Sequence, residues 1–156
     1  MTTPIDALRG VPNACQALPL LVTGGQPTAA QLEALAATGN RVVLDIRAPN
    51  EPRPMDEAAL VRRLGMEYVN IPLITRGVLD DALMDRLLAE FRRVSAQPTF
   101  CHCAGGNRVG GALIPFLILD QGFDEEDAVS TAQRVGLSSR ELLAWGLDYA
   151  RRHRKA

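Results

Sequence analysis

The chain has 156 residues, of which 47% are hydrophobic and 22% are charged, so it is long enough for one globular domain with a substantial core. Its formal net charge of -1 gives no general attraction to nucleic acid or to acidic membranes, and neither is predicted as a partner. Three cysteines are too few for a disulfide framework, no cysteine–histidine spacing resembles a zinc site, and no apolar run is long enough to span a membrane.

Hydrophobic periodicity and turn residues divide the chain into alternating strands and helices. In chain order the predicted elements are the strand 19–22, the helix 31–38, the strand 41–46, the helix 55–64, the strand 67–71, the helix 81–95, a strand beginning at Thr99, the helices 109–121 and 124–135, and a last helix capped by Ser138 or Ser139. Residues 1–18 are predicted to follow the surface as an arm, and residues 72–80 to form a connection. The alternation predicts an α/β fold with a central, mostly parallel sheet of four to five strands flanked by helices.

The segment from Thr99 to Gly110 combines an apolar strand, a glycine-rich loop and the start of a buried helix. Such a loop directs backbone N–H groups into one small space, and the helix dipole adds positive potential there. We therefore expect Cys103 to lose its proton more readily than a free thiol, whose pKa is about 8.5, and to act as a nucleophile. Arg108 carries a planar cation suited to binding an oxyanion. The competing interpretation is a small buried cysteine beside an ordinary glycine turn.

Ligands of parallel sheets bind outside the carboxyl ends of the strands, where the Cys103 loop is predicted to lie. Asp45 and Arg47 end the strand 41–46 and should reach the same edge. They are predicted to form a supporting ion pair or to line the mouth of the site, although a solvated loop would explain them equally well. Cys101 is expected to pack in the core.

Two parts of the chain resemble a known family. The run from Gly24 to Thr28, the helix after it, and the segment from His102 to Gly110 are similar to the bacterial phosphatase-like domain of the beta-lactamase hydrolase-like family. The helical ending from Phe123 onward resembles dual-specificity phosphatases. This resemblance implies a cysteine-phosphatase-like fold in which His102 orients the loop through hydrogen bonds, and a purely structural histidine is the alternative.

The loop also resembles that of rhodanese-type sulfurtransferases. Four residues separate Cys103 from Arg108, which is the rhodanese spacing, whereas the phosphatase signature has five. Val109 stands where phosphatases have serine or threonine. No acid follows Ile71-Pro72 at the place of the phosphatase general acid; the nearest carboxyls are Asp80 and Asp81, which could equally cap a helix.

The N–H groups of a loop that binds a phosphoryl group must reach all three of its oxygens. A shorter loop should therefore enclose a smaller group. We therefore hypothesise a cysteine-dependent sulfurtransferase that carries sulfane sulfur as a Cys103 persulfide, with thiosulfate or a persulfide as its small anionic substrate. The predicted binding residues are Ala104, Gly105, Gly106, Asn107 and Arg108, supported by His102, Asp45 and Arg47.

The alternative is a protein tyrosine or dual-specificity-type phosphatase that hydrolyses phosphate esters through a Cys103 phosphocysteine, with Asp80 or Asp81 as the acid. A third interpretation is a non-catalytic module that binds anions. In every case residues 1–156 are expected to form a single domain without metal or cofactor. The absence of a secretory signal pattern and the need for a reduced thiol indicate the cytoplasm. The sequence does not indicate an oligomeric state.

Overall fold

The computed structural model describes residues 2–75 and 77–154, and its centre is a five-stranded sheet. Across the sheet the strands lie in the order Cys15–Leu18 (β1), Leu21–Gly24 (β2), Thr99–His102 (β7), Val42–Asp45 (β3) and Glu67–Asn70 (β4). β1 is antiparallel to β2, and the remaining neighbours are parallel. Two short strands, Ile74–Thr75 (β5) and Val78–Leu79 (β6), form a separate antiparallel hairpin. The predicted mostly parallel α/β sheet is confirmed.

Helices cover both faces of this sheet. In chain order they are Pro4–Ala7 (α1), Ala29–Ala37 (α2), Glu57–Arg63 (α3), Asp81–Arg93 (α4), Asn107–Leu119 (α5), Glu125–Val135 (α6) and Arg140–His153 (α7). Because strand side chains alternate between faces, Phe100 joins the core beside α1–α3, whereas Cys101 joins the core beside α4–α7. No helix in the described part of the chain has the length and apolarity needed to cross a bilayer.

Polar side chains cap the first turns of α2 and α4 and so fix where these two helices start. Thr28 and Gln31 form the predicted capping box, with the Gln31 N–H donating to Thr28 Oγ1 at 3.2 Å and the Thr28 N–H donating to Gln31 Oε1 at 2.8 Å. The Asp80 carboxylate accepts the N–H groups of Ala82 and Leu83 at the start of α4. These caps are local in sequence, and for that reason the pattern predicted them well.

The N-terminal segment differs from the predicted surface arm. It contains α1 and β1, and β1 adds a fifth, antiparallel edge strand by pairing with β2. The predicted connection 72–80 likewise contains the β5–β6 hairpin. β1, β5 and β6 are too short to show a hydrophobic period of their own, so pairing with a neighbouring strand defines them. α1 is a single turn that begins with a capping box of Thr3 and Asp6.

The carboxyl ends of three strands meet at one edge of the sheet. In the ladder, Gly24 of β2 and Asp45 of β3 lie on either side of His102 in β7. Gly25, Ile46 and Cys103 therefore leave the sheet side by side. This is the edge at which parallel sheets bind ligands, and it is the predicted location of the site.

Candidate active site

Cys103 directly follows β7, and α5 begins four residues later, as the strand–loop–helix prediction requires. The cysteine is only 1% exposed, and its Sγ accepts a hydrogen bond from the Gly106 N–H at 3.0 Å. Gly106 has a left-handed φ of 102°, and a Cβ on it would lie 2.7 Å from the carbonyl oxygen of Val135. Backbone conformation and space therefore both require glycine at this position.

A cavity of about 560 Å³ opens over Cys103. Predicted binding residues in its wall are Ala104, Gly105, Asn107 and Arg108. The remaining wall comes from Glu51, from the β5–β6 hairpin and from the first turn of α7, which contributes Glu141. Among the described residues, the cavity thus brings together the thiol of Cys103, the guanidinium of Arg108 and the carboxyl groups of Glu51 and Glu141.

The β2–α2 turn holds the loop from outside. The Gln26 N–H donates to the carbonyl oxygen of Ala104 at 3.0 Å. This contact needs the preceding glycine, because a Cβ on Gly25 would lie 2.4 Å from the same oxygen. In a trans peptide the N–H points opposite to the C=O, so the Gly105 N–H is directed to the inner side of the loop.

His102 lies beneath the loop and is fully buried. Its Nδ1 is 3.2 Å from the carbonyl oxygen of Cys103, and its Nε2 is 2.5 Å from Glu57 Oε2. The ring stacks on Phe100 with centroids 5.3 Å apart. Both ring nitrogens face oxygen acceptors on opposite sides, which fixes the ring and ties the Cys103 carbonyl to α3. This geometry is what an orienting role for His102 requires.

Asp45 and Arg47 are buried, which excludes the solvated-loop interpretation for both. Asp45 Oδ2 accepts hydrogen bonds from Arg53 Nε at 2.9 Å and from the Tyr68 hydroxyl at 2.6 Å. The Arg47 guanidinium donates instead to Glu51 at 3.1 Å, and only its backbone N–H reaches Asp45. The predicted ion pair between Asp45 and Arg47 is therefore wrong, and neither residue lines the cavity over Cys103. Their supporting role stays a prediction.

Asp45, Glu57 and His102 offer donor atoms within 4.8 Å of one another, a combination that could hold a metal ion. The positive charge beside these carboxylates is already supplied by Arg53, whose Nη2 lies 2.8 Å from Asp45 Oδ2 and whose Nε lies 3.8 Å from Glu57 Oε1. Glu57 Oε1 also accepts a hydrogen bond from Gln26 Nε2 at 2.7 Å. The cluster is therefore built as a protein-only network that braces the strand ends beneath the loop.

Arg108 is held in the cavity wall by a two-pronged ion pair with Glu51. Nη1 and Nη2 donate to the two carboxylate oxygens at 2.8 and 2.9 Å. The Ala48 N–H donates to the same carboxylate at 2.6 Å. Hydrogen bonds from Arg108, followed by those from Ala48 and Arg47, lower the pKa of Glu51 to about 2. The pairing uses two of the five guanidinium N–H groups, so three remain for an oxyanion.

Replacing Glu51 with glutamine is expected to destabilise the protein at pH 7 by about 1 kcal/mol, because the pair is partly exposed and solvent screens it. The folded-state pKa of Glu51 lies below its ordinary value of 4.5. The carboxylate therefore stabilises the fold above pH 4.5, and this contribution is lost as the pH falls toward 2. In urea unfolding, the difference in the free energy of unfolding between wild type and Glu51→Gln should be smaller at pH 3 than at pH 7. Glu33→Gln, on the exposed face of α2, serves as the control; an equal difference at both pH values would contradict the assignment.

Asp80 and Asp81 are not among the residues that line the cavity, although their neighbour Leu79 is. The Asp80 carboxylate caps α4. Asp81 accepts a hydrogen bond from Trp145 Nε1 at 3.0 Å and pairs with Arg152 at 2.8 Å. The helix-capping interpretation therefore applies to Asp80, and the proposed acid role has no support from the position of either residue.

Sequence reasoning missed most of the residues that brace the loop: Gln26, Arg53, Glu57 and Tyr68. Glu51 received no predicted role, although an acid that follows Asp45 and Arg47 in the sequence was the available signal. The others carry no local signal, because they come from three separate parts of the chain that meet only where the strands end.

Comparison with known proteins defines the class to which this fold and site belong. The family described as "DSP-PTPase phosphatase fused to NAD+ Kinase" matches residues 14–143, and the chain belongs to this family. No curated protein matches the chain.

Solved phosphatase-type structures share the whole fold. A DUF442 protein from Shewanella putrefaciens CN-32 is 21% identical, with a TM-score of 0.81 over 97% of this chain and 99% of that one. TpbA from P. aeruginosa is 20% identical, with a TM-score of 0.70 over 94% and 87%. The catalytic core of the PP-IP phosphatase SIW14 from S. cerevisiae is 14% identical, with a TM-score of 0.75 over 89% and 86%. The predicted cysteine-phosphatase-like fold is thereby confirmed.

These findings show that the prediction of a rhodanese-type sulfurtransferase is wrong. The family is one of phosphatases, and the alternative stated from the sequence fits it. The error lay in equating loop length with the size of the bound group. The number of N–H groups that face the bound group sets the size it can have, and the loop length does not. The Gly106 N–H faces Cys103 Sγ, and α5 begins at the next residue, so the free N–H groups of its first turn lie close to the loop.

Proposed function

We propose that this protein is a cysteine-dependent phosphatase that hydrolyses phosphate monoesters through a phosphocysteine on Cys103. The observation that carries the proposal is the contact between Cys103 Sγ and the Gly106 N–H at 3.0 Å, in a cavity that also holds Arg108. A thiolate at this position has a donor beneath it and a fixed cation beside it. That combination suits attack on a negatively charged phosphorus centre.

The reaction proceeds in two displacements. The Cys103 thiolate forms a bond to phosphorus as the bond from phosphorus to the ester oxygen breaks, and the leaving oxygen takes one proton from solvent to depart as the alcohol. Water then forms a bond to phosphorus as the sulfur–phosphorus bond breaks, which releases inorganic phosphate, returns a proton to solvent and restores the thiolate. Arg108 and the N–H groups of residues 104–108 bind the phosphoryl oxygens in both steps.

The substrate class follows from the size and chemistry of the cavity. About 560 Å³ with a single anion-binding loop suits a small anionic substrate that carries one phosphate ester. Among the structural relatives, TpbA has been crystallised with pTyr and the SIW14 core with citrate, both of them anionic. We also propose that residues 1–156 act as one domain, akin to the phosphatase-like domain of the beta-lactamase hydrolase-like family. The need for a reduced Cys103 favours a cytoplasmic location.

Turnover of p-nitrophenyl phosphate by the reduced protein tests the proposal. Nitrophenolate leaves without needing a proton, so the assay does not depend on which group serves as the general acid. We expect release of inorganic phosphate in step with nitrophenolate, and competitive inhibition by orthovanadate. Failure to release phosphate, in protein whose Cys103 is still alkylated by iodoacetamide, would overturn the phosphatase proposal. Orthovanadate binding without turnover would instead indicate a module that only binds anions.

A further inference from the structure

Asn13 has an unusual backbone conformation. It lies in the turn between α1 and β1 with φ of 53°, and in the part of the chain that the structure describes it is the one non-glycine residue with positive φ. Asparagine tolerates this left-handed region better than most residues, but the conformation persists only where surrounding contacts enforce it. The turn is held from both sides, because the Ala14 N–H donates to Val11 and the Gly25 N–H donates to Pro12.

The side chain of Asn13 reaches the Cys103 loop. Its Nδ2 donates a hydrogen bond to the carbonyl oxygen of Gly105 at 2.7 Å. Asn13 also fills the space beside two glycines: a Cβ on Gly106 would lie 3.2 Å from Asn13 Cβ, and a Cβ on Gly136 would lie 3.1 Å from Asn13 Nδ2. The Asn13 amide therefore occupies space that is available because residues 106 and 136 have no Cβ.

The bond to Gly105 determines where the next N–H points. The peptide between Gly105 and Gly106 is planar and trans, so its C=O and N–H are directed oppositely. With the carbonyl held on Asn13, the N–H of Gly106 faces Cys103 Sγ at 3.0 Å. This peptide joins two glycines, which resist rotation less than any other residues. Rotation of the peptide would turn a carbonyl toward the thiolate and its anionic substrate in place of a donor.

We propose that Asn13 is a positioning residue that holds the Gly105–Gly106 peptide in its anion-binding orientation. The inference rests on the proposed phosphatase function for its catalytic meaning, while its structural part concerns anion binding alone. The carbonyls of Cys103 and Ala104 are held by His102, at the end of β7, and by the Gln26 N–H in the turn after β2. Asn13 adds the third anchor from a segment 92 residues away.

Two variants separate the effect of the Asn13 amide donor from the effect of the positive φ at this position. Asn13→Gly accepts positive φ without strain and removes only the amide. Asn13→Asp keeps the size of the side chain but presents carboxylate oxygens to the Gly105 carbonyl, which they repel. We expect both to weaken orthovanadate binding and to lower kcat/KM by roughly 10-fold or more, short of the 10²–10³-fold typical for deleting an oxyanion donor outright. The rate of Cys103 alkylation by iodoacetamide at pH 7 should fall as well, since the thiolate loses its Gly106 donor.

Thr28→Ala is the matched control, because it removes the capping box of α2 and touches no atom of the loop. Thr28→Ala should lower the melting temperature and leave orthovanadate affinity unchanged. Asn13→Gly should weaken orthovanadate binding and leave the melting temperature unchanged. If both Asn13 variants keep orthovanadate affinity and the alkylation rate within twofold of wild type, Asn13 has no positioning role. If the wild type shows no turnover, the phosphatase proposal fails, while the binding and alkylation readouts still decide the role of Asn13.

Discussion

Replacing Cys103 with serine is expected to reduce the hydrolysis of p-nitrophenyl phosphate on the order of 10⁴-fold or more. A serine hydroxyl in the same place stays protonated at neutral pH and cannot form the phosphocysteine. The N–H groups of the loop and Arg108 remain, so orthovanadate should still bind. The measurements are initial rates across a substrate series, and intact mass after rapid acid quenching. The wild type should gain one phosphoryl group in the quench and the variant none.

Cys101 provides the control for this experiment. It lies in β7, two residues before the nucleophile, and burial raises the pKa of its thiol. It is therefore a core side chain and not a competing nucleophile. Cys101→Ala should lose stability through the small cavity it leaves, but it should keep its turnover and its mass gain. A Cys101→Ala protein without activity, or an active Cys103→Ser protein, would refute the assignment of Cys103.

Replacing Arg108 with lysine is expected to lower kcat/KM by about 10²-fold, although the charge is retained. Lysine cannot keep two parallel hydrogen bonds to Glu51 while also offering donors in a fixed plane to the substrate. Because the guanidinium contacts phosphoryl oxygens most strongly as they gain charge, kcat should fall more than KM rises. Steady-state kinetics at several pH values measure this separation.

Arg92→Lys is the matched conservative change, at an exposed arginine that pairs with Asp120 on the surface. It should leave kcat/KM within experimental error, which shows that an arginine-to-lysine change is harmless in this chain when no oxyanion is involved. An Arg108→Lys protein with kcat/KM within threefold of wild type would exclude the guanidinium from the binding of the transition state.

Residues that stabilise the fold lie next to those that bind substrate at this site. The network of Asp45, Arg53, Glu57 and Tyr68 lies directly below a loop whose N–H groups must stay within hydrogen-bond range of the substrate. Loss of one partner leaves another charge buried without compensation, which costs more than the pair contributes. Variants of these residues will therefore mix effects on folding and on turnover, and for this reason Cys103, Arg108 and Asn13 are the cleaner probes.

The sequence by itself determined the parts of this protein that are local. One contiguous segment contains the strand before Cys103, the glycine loop and the buried helix that begins one residue before Arg108. The sequence pattern of that segment is therefore enough to predict all three. The capping box of Thr28 and Gln31 is likewise complete within four residues. The parallel sheet followed from the alternation of such segments, because parallel strands need helical crossovers.

Only the tertiary structure decided what surrounds the loop. Glu51 meets Arg108 across 57 residues, and Asn13 meets Gly105 across 92, with nothing in either local pattern to join them. The short loop, Val109 and the missing acid after Ile71-Pro72 together favoured sulfur chemistry. A count of residues, however, does not say which way each carbonyl of the loop points. That direction is set by Gln26, His102 and Asn13, which reach the loop because the carboxyl ends of β2, β3 and β7 meet at one edge, with the turn before β1 packed beside them.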